Sequence, residues 1–120
     1  MTLLVTGGRI LRPDHTVERA DVRIDTDGYI DAIGTLEQTE RDQPLDAEGA
    51  LVTPGLVNAH GHAAMTLLRG YADDKPLDAW LQEDIWPTEA ELEAEDIAAG
   101  ARLAAVEMIR SGTTAFADMY

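Results

Sequence analysis

A chain of 120 residues with 45% hydrophobic content is long enough for one small core and too apolar for general disorder. Charge is its outlying property: 23 acidic residues against 9 basic ones give −14, with Lys75 the only lysine, a surface that repels nucleic acid and anionic membranes. Cysteine is absent, which excludes a disulfide framework, a thiolate nucleophile and cysteine-ligated metal, so a metal site in this chain must use nitrogen and oxygen donors.

The acidic residues are scattered through every segment and do not form a tail, a pattern read here as adaptation to a salt-rich cytoplasm. Residues 1–8 have no basic region followed by a long apolar run, which argues against a signal peptide. The longest uncharged stretch, Gly49 to Leu68, carries Pro54, Asn58, two histidines and three glycines and is a poor membrane span. A soluble, cytoplasmic protein is expected, with neither nucleic acid nor membrane as partner.

In chain order, Thr2 to Val5 predicts a strand stopped by Gly7-Gly8, and Arg9-Ile10-Leu11 a second one stopped by Pro13-Asp14. Ala20 to Asp25 alternates apolar and charged residues, Asp27-Gly28 signals a hairpin, and Tyr29 to Gly34 returns. Glu37 to Pro44 is polar and reads as loop, followed by a strand within Leu45 to Val52. These pieces predict part of a small antiparallel β-sandwich over residues 1–54. His15 falls in a turn and reads as an ordinary exposed residue.

Thr53-Pro54-Gly55 marks a boundary, after which the pattern becomes strand, helix, helix, strand, the alternation of a parallel α/β sheet or barrel. Leu56 to His62 is an apolar run ending in two histidines one residue apart. On an extended strand Asn58, His60 and His62 share a face, and two imidazoles then lean toward one point, as metal ligands must. Gly61 between them has no side chain to pack, and the pair stands where β/α barrels place catalytic groups, at the C-terminal end of a strand. Two exposed histidines at a strand end are the plain alternative.

Ala63 to Arg69 predicts a short helix ended by Gly70. Leu77, Trp80, Leu81 and Ile85 recur at helical spacing up to Pro87. Thr88 and Glu91 read as the capping box of a long helix whose inner stripe is Ala94, Ile97, Ala98, Ala101, Ala104, Ala105 and Met108. Ser111-Gly112 ends it, and Thr113 to Tyr120 predicts a second buried strand. Two parallel strands have no closed core and leave open edges that permit a homo-oligomer, so the chain is expected to be the N-terminal part of a longer protein with residues 55–120 opening an incomplete barrel.

Thr53-Pro54-Gly55-Leu56-Val57-Asn58-Ala59-His60-Gly61-His62, then Ala64 to Gly70, Trp80-Leu81, Ile85-Trp86-Pro87 and Glu89, resemble the amidohydrolase superfamily. Within it the sequence is most similar to the 5-methylthioadenosine/S-adenosylhomocysteine deaminases and their chlorohydrolase relatives. Gly61 departs from the usual His-Thr-His of the family and leaves both histidines in place. The resemblance implies a metal-dependent TIM-like (β/α)8 barrel preceded by a β-sandwich domain, with a divalent ion, zinc or iron, held by His60, His62 and ligands from later strands. It implies hydrolytic deamination of the adenine ring of a small nucleoside, with ammonia released by proton-shuttling groups outside this chain. By position it assigns Glu89 to the ribose hydroxyls, which a carboxylate accepts as a diol, and Trp86 to the purine face. Both residues also have plain readings, a first-turn helix acid and a core filler. Asn58 reads equally as a support for the histidines and as a strand-end hydrogen-bonding group, and Arg69 as a helix C-terminal charge. Other amidohydrolases, such as guanine or cytosine deaminases and triazine-type chlorohydrolases, would keep the same pair, and a non-catalytic fragment is the alternative from another class. By itself the 120-residue chain is expected to be inactive.

Overall fold

A computed structural model describes residues 1–119 of the chain, which divides into two compact units, residues 1–54 and 55–120. The fold is mixed α/β, and each unit is built as follows.

In the first unit β1 (Thr2–Thr6), β4 (Asp21–Ile24), β5 (Ile30–Gly34) and β6 (Asp42–Asp46) form one sheet in the order β5-β4-β1-β6. A second sheet holds β2 (Arg9–Leu11), β3 (Val17–Arg19) and β7 (Leu51–Val52) in the order β3-β2-β7. The hairpin at Asp27-Gly28 forms as the turn signal predicts, with Gly28 at φ 88°. Three expectations need correction. The strand expected within Leu45 to Val52 is two strands broken at Ala47–Ala50, where Gly49 takes φ 79°. Asp42, Gln43 and Pro44, read as loop, belong to β6; Asp and Pro are poor strand formers, yet β6 is an edge strand, where a missing N–H is tolerated. The unit is also not wholly antiparallel, because β1 pairs with β6 and β2 with β7 in parallel. Residues 2–11 and 42–52 therefore run side by side from one sheet into the other, joined at the crossing by Ala47 N–H to Thr6 O (2.8 Å) and Arg9 N–H to Ala50 O (3.0 Å).

The apolar faces of these strands meet in a core of Val5, Ile10 and Val22, ringed by Leu3, Ala20, Ile24, Ile33, Ala47 and Val52. Each such side chain removed from water contributes about 1.5–3 kcal/mol. One polar residue is buried with the strands. Asp42 accepts hydrogen bonds from the Thr2 hydroxyl, from the Thr39 N–H and hydroxyl (2.8 and 2.9 Å) and from Nε and Nη2 of Arg23 (3.1 Å each). These donors, the Thr2 hydroxyl first, hold its carboxyl well below the usual carboxylate range. One side chain thus ties β1, β4 and the approach to β6. His15 sits in the Arg12–Thr16 turn at φ 66°, exposed.

The second unit contains β8 (Leu56–Gly61) and β9 (Thr113–Asp118), paired in parallel. Between them come a 3₁₀ helix (Ala63–Leu68), a helical rod and α3 (Ala94–Arg110). Tyr120, the last residue of the expected second strand, lies outside the described residues. The rod runs from α1 (Leu77–Ala79) through a π-helical turn (Trp80–Ile85) into α2 (Trp86–Glu89). Pro87 therefore does not end this helix, contrary to expectation. It occupies the first turn of α2, where its missing N–H costs little. Thr88 lies inside α2 and caps nothing. The long helix starts later, at Ala94, where Glu93 N–H donates to the Asp96 carboxylate (3.0 Å). Its small-residue stripe packs on the 3₁₀ helix, with Gly100 and Ala104 buried, beside buried Ala63 and Ala64. The two strands, expected to be buried, are largely exposed, Val57 at 71% and Phe116 at 42%.

Candidate functional site

His60 and His62 stand at the C-terminal end of β8, Gly61 being its last residue. Their rings meet edge to face, centroids 5.1 Å apart and planes at 79°. The two rings meet although His62 lies one residue beyond the strand, and both side chains are exposed. Among the described residues no group of three or more His, Asp or Glu side chains is placed to hold one ion. Two imidazoles that can converge suit the nitrogen-preferring chemistry of zinc, and the donor set here supplies two positions of a tetrahedral site. Further ligands would have to come from elsewhere.

The backbone around the pair is tied down. The Asn58 side-chain oxygen accepts from His60 N–H at 3.2 Å, so of its two readings the strand-end hydrogen bond is the one the geometry shows. Gly61 pairs with Asp118 across the sheet, its carbonyl accepting from Met119 N–H (3.0 Å). Directly after His62, Ala63 N–H donates to the Asp118 carboxylate at 3.1 Å.

His62 also lines a cavity of about 320 Å³ with Met65, Leu81, Ile85, Trp86, Glu89 and Met119. Three of the four residues singled out in the sequence, His62, Trp86 and Glu89, thus border one space, and His60 lies at its neighbour His62. Leu81 and Ile85 come from the π turn, and Trp86 and Glu89 from α2 directly after it. Ile85 is 1% exposed and anchors the rod, whereas Trp86 is 54% exposed and free to meet a ligand. Tyr71 fixes the rod's position, its carbonyl accepting from Trp80 Nε1 (3.0 Å) and its hydroxyl from Thr88 (3.4 Å).

Arg69, at the end of the 3₁₀ helix, forms a two-bond pair with Glu107 of α3 (3.2 and 2.6 Å), which raises the arginine pKa and lowers that of the glutamate. It is a link between helices and leaves no free guanidinium for an anion. Sequence reasoning passed over Asp118, Met65 and Met119. An acid at the C-terminal end of a parallel strand was the available signal for Asp118; the methionines had none.

This geometry, a histidine pair at a strand end with His62 lining a cavity walled by a helical rod, defines a candidate metal-assisted hydrolytic site. Residues 51–120 match the amidohydrolase family, and the chain belongs to it. Over 119 residues it is 68% identical to a 5-methylthioadenosine/S-adenosylhomocysteine deaminase of Haloarcula marismortui, covering 98% of this chain and 28% of that protein. A protein of the same name from Halobacterium salinarum is 67% identical over 120 residues, covering 99% and 27%. Among solved structures, a zinc-bound adenosine deaminase from Xanthomonas campestris superposes with a TM-score of 0.89 at 37% identity, over 98% of this chain and 28% of that one. A zinc-complexed atrazine chlorohydrolase from Arthrobacter aurescens gives 0.79 at 25%, over 97% and 28%. The chain spans about 28% of the length of the curated relatives it matches.

Proposed function

We propose that this chain is the N-terminal portion of a metal-dependent deaminase that removes the amino group of the adenine ring of 5-methylthioadenosine or S-adenosylhomocysteine, releasing ammonia. In this reading residues 1–54 are part of a β-sandwich domain and residues 55–120 open a β/α barrel. The single observation that supports it most is the cavity that sets Trp86 and Glu89 beside His62. The relatives from Haloarcula and Halobacterium carry the same assignment in their names.

His60 and His62 would hold a divalent ion, zinc by the two solved relatives, together with ligands from outside this chain. When bound, the ion supplies Lewis-acid activation of water. The remaining work belongs to the chain's own side chains. Glu89, acceptor-only when ionised, takes both ribose hydroxyls as a diol and fixes the sugar. Trp86 offers an exposed aromatic face on which the purine stacks, and Leu81, Ile85, Met65 and Met119 provide the apolar walls that exclude water from the base. Orientation of this kind converts binding into rate by holding the reacting carbon in place. The substrate is a small molecule, and the −14 charge disfavours nucleic acid as an alternative partner. No helix among the described residues is long and apolar enough to cross a membrane.

The test is ammonia release by the full-length protein across methylthioadenosine, S-adenosylhomocysteine, adenosine, guanine and cytosine. Turnover confined to the adenine nucleosides is expected. Preference for guanine or cytosine would reassign the protein within the family.

A further inference from the structure

We infer that Asp118 is a positioning residue for His62, holding that imidazole at the angle a metal ligand needs; this rests on the reading of His60 and His62 as ligands. A side chain's direction is set by the two peptide planes that flank its Cα. For His62 both planes are anchored to consecutive residues at the end of β9. The preceding plane is held through Gly61 O, which accepts from Met119 N–H at 3.0 Å, and the following plane through Ala63 N–H, which donates to Asp118 Oδ1 at 3.1 Å. The backbone torsions of His62, φ −131° and ψ 78°, are neither helical nor regular strand, and the one local bond, Met65 N–H to His62 O at 3.0 Å, holds only its carbonyl.

The same contact solves a second problem. The first N–H groups of a helix lack partners, and His62, which stands at the cap position of the 3₁₀ helix, contributes no side-chain capping bond. Asp118 takes that duty from the neighbouring strand through one side-chain oxygen, Oδ1. The His62 imidazole makes no capping bond, and His62 lines the cavity. Asp118 itself is not placed as a third ligand, since no trio of potential ligands occurs among the described residues. Support of this indirect kind is worth roughly 10–100-fold in metal affinity where it has been removed from other sites.

The experiment measures zinc affinity by chelator competition, and the visible spectrum of the cobalt-substituted form, for the full-length protein and for Asp118→Ala, Asp118→Asn and Asp118→Glu. Asp118→Asn keeps an acceptor oxygen at the same reach and should bind zinc nearly as wild type. Asp118→Glu keeps the charge but displaces the oxygen, and Asp118→Ala removes it; both should lose roughly tenfold or more and shift the cobalt bands. The order Asn above Glu tests the idea even where the alanine variant does not fold. Equal affinity in all variants, or glutamate outperforming asparagine, would overturn it. Absence of metal from the wild-type protein would overturn the reading beneath it instead, and the inference with it.

Discussion

Gly100 of α3 lies so close to Ala64 that a Cβ built on the glycine would stand 2.4 Å from the Ala64 carbonyl oxygen and 3.0 Å from Leu67 Cγ. Backbone cannot yield cheaply at that distance. Gly100→Ala should therefore push α3 off the 3₁₀ helix that follows His62, at a cost of about 1–3 kcal/mol, read from the denaturant midpoint. An unchanged midpoint would show that the two helices are not packed as described.

Glu89 lines the cavity that His62 and Trp86 also line. Glu89→Ala should raise KM for ribosyl substrates by roughly tenfold or more, the worth of a charged hydrogen-bonding group, with a smaller change in kcat. Trp86→Ala should weaken nucleoside binding less, by roughly 0.5–1.5 kcal/mol of stacking beyond lost area. Steady-state kinetics with methylthioadenosine separates the two.

Asp42 gives the first unit a defined acid sensitivity. Its carboxyl is held below the ordinary range in the folded chain, so its contribution is fully present above the unfolded value near 3.8 and is lost as pH falls through the lower folded value. Thermal melts from pH 6 downward should thus show Asp42→Asn converging on wild type in strong acid (roughly pH 2 and below) while remaining less stable near neutrality. Asp14→Asn, at an exposed turn where only Thr16 donates to the carboxylate, should cost less.

A net charge of −14 on 120 residues repels itself in dilute buffer. The melting midpoint should rise as potassium chloride increases from about 0.1 M to molar concentrations, where the screening length falls from about 10 to 3 Å. Full stability in dilute buffer would remove the case for salt adaptation.

Much of this was open to reading before any coordinates. Alternation at Ala20–Asp25, the Asp27-Gly28 turn and the small-residue stripe of α3 report local periodicity, and local structure followed them. Where tertiary context decides, the reading failed. Asp42 and Pro44 look like loop because their propensity is poor, yet a buried hydrogen-bond network and an edge position carry them into β6. Pro87 looks like a helix end, but the preceding π turn leads into a new first turn that tolerates it. At the site, the His60-Gly61-His62 spacing was legible as a pair at a strand end, but the torsions that aim His62 depart from strand geometry beyond Gly61. Asp118 was not legible, since its partner Ala63 lies 55 residues away along the chain.

The proposed chemistry depends on His60 and His62 acting as ligands of one ion. The most direct measurement is the metal content of the full-length protein and of its His60→Ala and His62→Ala variants, alongside ammonia release from methylthioadenosine. About one zinc per wild-type chain, lost together with activity in either variant while the fold persists, is the predicted result. Variants that keep both their metal and their turnover would contradict it.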